Sequence, residues 1–234
     1  MLIIFDLDDT LVDTYRCLTI PKLKETLIHM VQGGLRLDCS FEQAFNDLVV
    51  CTRSAPSGRE ALISFLPDFK NGADFLESST NYLYESSDEG LNLEAVPGAI
   101  EALEQLKENH TLCLVSVGFE GRQRRKLEKA GIDSGIFAKI EITQAHRKGD
   151  IYRGLIEELG FSPKETIVCG DKFDVDIEPA VRLGCFAAHA EFSPRRCIKR
   201  SGLEADISVT TFNQLLDFVE TFDSDEKKAD SSYQ

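Results

Sequence analysis

The sequence has few basic residues: 26 Lys plus Arg stand against 40 Asp plus Glu among 234 residues, a formal net charge of −14. Nucleic-acid backbones and anionic lipid surfaces are bound by clustered Lys and Arg, so this balance argues against both partners. No apolar run approaches the roughly 18–20 residues that a membrane helix needs. The first residues, Met1–Asp6, also lack the basic lead of a secretory signal peptide. We therefore expect neither a nucleic-acid-binding protein nor a membrane protein.

The patterns of disulfide-rich and zinc-binding proteins are absent too. The seven cysteines are odd in number and include no Cys-x-x-Cys pair, which argues against a disulfide framework and a structural zinc site. Unpaired thiols favour a reducing, cytoplasmic location. The four histidines show no metal-ligand spacing. Any metal ion would therefore be held by carboxylates, which suit a hard cation such as Mg²⁺.

Apolar residues make up 42% of the chain, which is enough for a core. Many of them form short, uniformly apolar runs followed by helical patterns, and such runs are typical of strands covered on both faces of a parallel sheet. The alternation predicts a doubly wound α/β fold with a mostly parallel sheet. The predicted strands are Leu2–Phe5, Leu112–Val117, Ala138–Ile142, Thr166–Cys169, Cys185–Ala188 and an edge strand at Asp206–Val209, and the predicted helices are Ala99–Lys107, Arg122–Ala130, Ile151–Leu159, Ile177–Leu183 and one that opens at Thr211.

Residues 14–95 break this alternation, because only helical patterns occur there. Capping-box sequences begin at Ser40 and Ser57, and Pro21 suits the first turn of another helix. We expect an all-helical module inserted after the first strand. The core then consists of residues 1–13 and 96–222, and the polar residues 223–234 form a disordered tail.

The strongest functional signal is Asp-Leu-Asp-Asp-Thr at residues 6–10, directly after the first predicted strand. Ligands of open α/β sheets bind at the carboxyl ends of the strands, where Asp6 and Asp8 are expected to lie. Carboxylates crowded in this way, with Asp9 and Asp13 nearby, repel one another unless a cation or partner neutralises them. An acidic turn that only caps a helix is the alternative for an isolated Asp-x-Asp.

A second acidic motif, Gly170–Asp176, follows the predicted strand Thr166–Cys169. Gly170 permits a tight turn, and Asp171 is expected at the same rim as Asp6, so the two carboxylates can bind Mg²⁺ together. Asp174 is interpreted as an ordinary acid at a helix N-terminus. Asp176 is expected to have a role in the site beyond that of a helix N-terminal acid.

Two further candidates follow the strands between these motifs. Ser116 ends a predicted strand and can donate a hydrogen bond to a phosphate oxygen, although serine at a strand end is usually only a turn former. Lys148 follows the third strand and can offset the charge of a phosphate and a nucleophile. In isolation, Lys148 would be interpreted as a solvated surface residue. The order of the four motifs along the chain makes them informative.

With these motifs in this order, the sequence resembles the haloacid dehalogenase superfamily, in the phosphatase branch with a helical cap between the first and second motifs. The resemblance covers residues 2 to about 222 and implies a Rossmann-like core, Mg²⁺ as cofactor and a small phosphate ester as substrate. It implies that Asp6 is the nucleophile and that Asp8 is the general acid and base. It further implies the remaining roles: Asp6, Asp171 and the main-chain carbonyl of Asp8 as metal ligands, Asp176 as support for the metal through water or hydrogen bonds, and Thr10, Ser116, Val117 and Lys148 as phosphate-binding residues.

The acid at Asp8 separates the branches of this superfamily. Dehalogenases lack it because halide leaves without a proton, whereas a phosphatase needs it. The resemblance therefore favours hydrolysis of a nucleotide or sugar phosphate through an aspartyl-phosphate. A phosphomutase and a catalytically idle binding protein remain open as alternatives. A phosphoacceptor receiver is disfavoured, because receivers carry their aspartate after the third strand.

Three positions depart from the common pattern of the superfamily. Val117 stands where asparagine is frequent, Gly149 replaces proline, and Lys172 adds a second cation beside Asp171. Lys172 is therefore a further candidate for the phosphate-binding role assigned to Lys148. A basic run on the helix after Ser116, comprising Arg122, Arg124, Arg125 and Lys126, is interpreted as a solvated face.

Overall fold

The computed structural model describes residues 1–55, 57–85, 92–144, 148–194 and 202–231. Its centre is a six-stranded parallel sheet in the order β3-β2-β1-β4-β5-β6. This confirms the predicted α/β fold with a doubly wound parallel sheet. The strands are β1 (Leu2–Phe5), β2 (Thr111–Val117), β3 (Lys139–Thr143), β4 (Thr166–Gly170), β5 (Phe186–Ala190) and β6 (Ile207–Val209).

The order of the strands places the two acidic motifs side by side. β1 is central and fully buried, with β2 on one side and β4 on the other. Phe5 pairs with Leu114 and Cys169, so β1 and β4 end at the same edge of the sheet. The uniformly apolar sequence of β1 is typical of a strand that is covered on both faces of the sheet. β3 departs from that pattern, because it is an edge strand and its residues are half-buried or exposed.

The predicted helices are present, with bounds that shift by one to three residues. Gly184 ends one of them in the left-handed conformation, with φ of 82°. Ser162 and Glu165 form the predicted capping box before β4. The helices are α1 (Ile20–Gln32), α2 (Phe41–Ser54), α3 (Gly58–Phe65), α4 (Leu76–Glu85), α5 (Ala99–Leu106), α6 (Glu120–Lys129), α7 (Lys148–Leu159), α8 (Glu178–Leu183) and α9 (Phe212–Ser231).

The chain divides into two compact units. One contains the sheet and comprises Met1–Asp13, Leu93–Ser193 and Ile198–Gln234, and the other comprises Thr14–Asn92 and Pro194–Cys197. The sheet-containing unit begins again at Leu93 rather than residue 96. The reason is that Ala95 pairs with Val12 and the Glu94 carbonyl accepts a hydrogen bond from the amide of Asp13.

Helices α1 to α4 form the second unit around an apolar core of their own. Leu27, Leu48 and Phe65 are among its fully or almost fully buried residues. The hydroxyls of Ser40 and Ser57 accept hydrogen bonds from the amides of Gln43 and Glu60, which caps α2 and α3 as the sequence predicted. The description of this module as a cap stays a prediction.

Helix α9 continues to Ser231, through most of the segment 223–234 for which the sequence predicted a disordered tail. The physical reason is the composition of residues 226–229, Glu-Lys-Lys-Ala, which are all strong helix formers. Within the described residues, no helix combines the length and the apolar character that crossing a bilayer would require.

Candidate active site

Asp6 lies immediately after β1, where the strand meets the end of β4. Its amide donates a hydrogen bond to the Cys169 carbonyl at 2.9 Å, which continues the ladder by one residue. The carboxylates of Asp6, Asp171 and Asp176 each contribute an oxygen to one cluster, with these oxygens within 4.8 Å of one another. The structure therefore brings together the two predicted metal-binding carboxylates, and adds that of Asp176.

Asp176 is fixed by the backbone of the second motif. It is fully buried, in a π-helical turn at Phe173–Ile177, and one of its oxygens accepts a hydrogen bond from the Lys172 amide at 2.9 Å. A Cβ atom on Gly170 would lie only 2.5 Å from the Cβ of Asp176. Gly170 is thus needed for the close approach of this side chain, in addition to permitting the turn.

Lys148 connects two of the carboxylates. Its ammonium nitrogen, at the start of α7, lies 2.5 Å from an oxygen of Asp6 and 2.6 Å from one of Asp176. Burial alone would lower the pKa of Lys148, but Asp176 and Asp6 together raise it well above its ordinary value. Lys148 is therefore a cation built into the site, and the interpretation as a solvated surface lysine does not apply.

One cation does not balance this set of carboxylates. Burial raises the pKa of Asp6 to about 6, with Asp176 adding to the rise and Lys148 opposing it. Burial also raises the pKa of Asp171 well above its ordinary value. The Oδ1 atom of Asp171 is buried and has no hydrogen-bond partner among the described residues. An unpartnered carboxylate oxygen beside two further carboxylates fits a hard divalent cation such as Mg²⁺.

Asp8 is held by two side chains of α6. Its Oδ1 accepts a hydrogen bond from the ammonium of Lys126 at 2.5 Å, and its Oδ2 accepts one from the amide of Gln123 at 2.8 Å. Both donors are buried. Gln123 was missed by the sequence analysis, and Lys126 was wrongly assigned to a solvated face. The available signal was their spacing of three residues, which places them on one face of the helix that follows Ser116.

The predicted phosphate-binding residues occupy different positions. Val117 and Lys148 line a small cleft together with Asp6, Asp8 and Lys172, and Val175 and Asp176 complete its lining. Burial lowers the pKa of Lys172, but nearby carboxylates, Asp171 first, raise it above its ordinary value overall.

The side chains of Ser116 and Thr10 are buried. The Ser116 hydroxyl accepts a hydrogen bond from the Gln123 amide at 2.7 Å. The Thr10 hydroxyl is completely buried, and no described residue is its hydrogen-bond partner. The roles assigned to these residues in phosphate binding stay predictions. Of the loop before α7, residues 145–147 lie outside the described part.

Comparison with known proteins identifies the family. The model of the haloacid dehalogenase-like hydrolases matches residues 1–184. The glyceraldehyde 3-phosphate phosphatase of Pyrococcus furiosus is 25% identical, over 98% of this chain and 97% of its own. The corresponding phosphatase of Methanocaldococcus jannaschii is 24% identical, over 95% of this chain and 98% of its own.

A solved structure shows the same fold. A haloacid dehalogenase-like hydrolase from Streptococcus pneumoniae superposes with a TM-score of 0.67 at 16% identity, over 93% of this chain and 97% of that one. The order of the motifs, the parallel sheet and the family model agree, and the predicted enzyme class, a hydrolase, is confirmed. The chain belongs to the haloacid dehalogenase-like hydrolase family.

Proposed function

We propose that this protein is a magnesium-dependent phosphatase that hydrolyses a small phosphorylated metabolite through an aspartyl-phosphate on Asp6. The observation that carries the proposal is one cleft lined by Asp6, Asp8 and Lys148, in which the ammonium of Lys148 lies 2.5 Å from an oxygen of Asp6. A nucleophile, an acid and a cation in one cleft are the groups that phosphoryl transfer requires.

The reaction proceeds in two displacements at phosphorus. The carboxylate of Asp6 attacks, the bond between phosphorus and the ester oxygen breaks, and the leaving oxygen takes a proton from Asp8. Asp8 then removes a proton from water, which attacks phosphorus and releases inorganic phosphate and the Asp6 carboxylate. Lys148 offsets the negative charge that would otherwise repel an anionic substrate from Asp6.

The carboxylate cluster supports a metal requirement. Asp6, Asp171 and the main-chain carbonyl of Asp8 would hold Mg²⁺, and Asp176, whose oxygens are occupied by Lys148 and the Lys172 amide, would support it from outside. When bound, the ion neutralises charge on the phosphoryl oxygens. Among the protein side chains, Lys148 or Lys172 holds the transferred phosphoryl group.

Relatives named for a sugar phosphate favour that substrate class over nucleotides. The matching phosphatases of two archaea are named for glyceraldehyde 3-phosphate, and the alignments span nearly the whole chain. The helical unit within Thr14–Asn92 would act as the cap that selects the leaving group. The described cysteines are all free thiols, which supports a cytoplasmic enzyme.

The test is release of inorganic phosphate from a panel of triose, pentose and hexose phosphates and nucleoside monophosphates, with Mg²⁺ or with EDTA. We expect Mg²⁺-dependent turnover with the highest kcat/KM on a sugar phosphate, and none from Asp6→Asn. A sugar-phosphate isomer formed without phosphate release would support the mutase alternative. If no ester is turned over, and Mg²⁺ with beryllium fluoride does not raise the melting temperature, the proposal is wrong and a binding protein is favoured.

A further inference from the structure

Both oxygens of the Asp8 carboxylate are occupied by donors from a single helix. The ammonium of Lys126 donates a hydrogen bond to Oδ1 at 2.5 Å, and the amide of Gln123 donates one to Oδ2 at 2.8 Å. A carboxylate restrained at both oxygens cannot rotate freely about its side-chain torsions. Proton transfer depends on such restraint, because the donor oxygen must lie within hydrogen-bond reach of the reacting oxygen.

The packing around Gln123 fixes the amide that restrains Asp8. Its nitrogen also donates to the Ser116 hydroxyl at 2.7 Å and approaches the Val117 carbonyl at 3.3 Å. A Cβ atom on Gly118, where φ is 154°, would lie about 3.0 Å from the Gln123 side chain. The Gln123 amide is therefore held between Ser116, Gly118 and Asp8, so its position is set by the end of β2.

Lys126 differs from the other basic residues of α6. Its side chain is 9% exposed and its ammonium contacts Asp8, whereas the side chain of Arg124 is 50% exposed and pairs with Glu120 on the same helix. Removing a long basic side chain from the water-facing side of a helix has little effect. A buried ammonium placed against one carboxylate has a defined partner and a defined geometry.

We propose that Gln123 and Lys126 are positioning residues that set the orientation of Asp8 for proton transfer to the leaving-group oxygen. This inference rests on the proposed phosphatase function. The two side chains act through Asp8 and leave the attack by Asp6 unchanged. The Gln123 amide ties that orientation to Ser116 and Val117 at the end of β2.

The experiment compares two esters that differ in their need for an acid. An alkyl phosphate requires protonation of the leaving oxygen, whereas 2,4-dinitrophenyl phosphate releases a stable anion. The parameter is kcat/KM, because it reports the steps up to departure of the leaving group and excludes later hydrolysis of the phosphoenzyme. The variants are Gln123→Ala and Lys126→Met, with Lys126→Arg as the conservative change. Arg124→Met is the matched control on the same helix.

We expect Gln123→Ala and Lys126→Met to lower kcat/KM on the alkyl phosphate by about 10- to 100-fold and on the dinitrophenyl ester by less than about threefold. Lys126→Arg should recover part of the loss, and Arg124→Met should change neither value. An equal loss on both esters would contradict the proposal and indicate a role in folding or phosphate binding. Unchanged kcat/KM on both esters would also contradict it.

The same assay separates this inference from the proposed function. Turnover of the dinitrophenyl ester by the wild type, lost in Asp6→Asn, reports the phosphatase independently of any residue in α6. Asp8→Asn gives the reference value for complete loss of the acid, expressed as the loss of kcat/KM on the alkyl phosphate divided by the loss on the dinitrophenyl ester. The positioning variants should approach this ratio and not exceed it. If the wild type hydrolyses neither ester, the positioning inference fails, and the phosphatase proposal is decided separately by the metabolite panel and the beryllium fluoride measurement. A ratio above that of Asp8→Asn would overturn only the positioning role.

Discussion

The ammonium nitrogen of Lys148 lies 2.5 Å from Oδ1 of Asp6, and both side chains are buried. The two residues are 142 positions apart in sequence, and the fold joins the end of β1 to the start of α7 through them. A pair of this kind contributes to both stability and chemistry. It compensates a buried carboxylate, and under the proposed function it also keeps a cation where the phosphate would bind.

Removal of Lys148 should destabilise the metal-free protein strongly. Lys148→Met removes the ammonium that contacts the buried carboxylates of both Asp6 and Asp176, so we expect urea unfolding in EDTA to show a loss of about 3–5 kcal/mol at neutral pH. The matched control is Lys107→Met, whose partner Glu104 is exposed, and it should change the free energy of unfolding by less than about 1 kcal/mol. Similar small losses in both variants would show that Lys148 does not compensate the cluster.

The ionisation of Asp6 should make the metal-free protein less stable as the pH rises. The pKa of Asp6 is raised from 3.8 to about 6, so the neutral carboxyl is favoured in the folded state. Its stabilising contribution is complete below the unfolded pKa and is lost as the pH rises through about 6.

Asp6→Asn removes the titration of this carboxyl group. We expect the variant to gain stability relative to the wild type between pH 5 and pH 7.5, measured by urea unfolding in EDTA. If the difference in free energy of unfolding between Asp6→Asn and the wild type is the same at both pH values, the raised pKa of Asp6 is contradicted. Mg²⁺ should reduce the wild-type loss, because a bound cation favours the ionised carboxylate.

Gly170→Ala should displace Asp176. The new methyl group would lie 2.5–2.7 Å from three atoms of that side chain, a distance that requires one of the groups to move. We expect a loss of about 1–3 kcal/mol in the free energy of unfolding, together with weaker Mg²⁺ binding. Gly154→Ala is the control within α7, where the added atom meets open space and should stabilise the helix by up to about 1 kcal/mol. Equal effects in the two variants would contradict the packing argument.

Mg²⁺ should raise the melting temperature through Asp171. At a concentration of 100 times the dissociation constant, a ligand of the folded state adds about 2.7 kcal/mol, which corresponds to roughly 5–11 °C for a chain of this size. We expect Asp171→Asn to abolish this shift, since the unpartnered Oδ1 is the atom that a cation would satisfy. Asp174→Asn, an exposed acid of the same motif, should preserve it. Full stabilisation in Asp171→Asn would place the metal elsewhere.

The positions of site residues that directly follow a strand could be predicted from the sequence. Asp6 and Asp171 each follow a uniformly apolar strand, and two adjacent parallel strands bring their carboxyl ends together. The same reasoning could not find Gln123 or Lys126, because these residues lie on a helix and their relation to Asp8 depends on how that helix packs. The basic run on α6 has the composition of a solvated face, but one of its members, Lys126, is buried in the fold.

Two other differences have local physical causes. β3 was expected to be covered on both faces, yet Lys139 and Glu141 lie on an edge strand whose residues are only partly buried. The segment beyond residue 222 is polar, which predicted disorder, but its glutamate, lysine and alanine also favour helix, and α9 continues to Ser231. Composition alone does not decide between these outcomes.

The aspartyl-phosphate intermediate can be tested by capturing the phosphoryl group on Asp6. The protein is mixed with Mg²⁺ and 2,4-dinitrophenyl phosphate, quenched in acid and digested for mass spectrometry. We expect one added phosphoryl group on the peptide that contains Asp6. It should be removed by hydroxylamine, as an acyl phosphate is, and should be absent from Asp6→Asn. Phosphate release by the wild type without a labelled Asp6, or with turnover retained in Asp6→Asn, would contradict it.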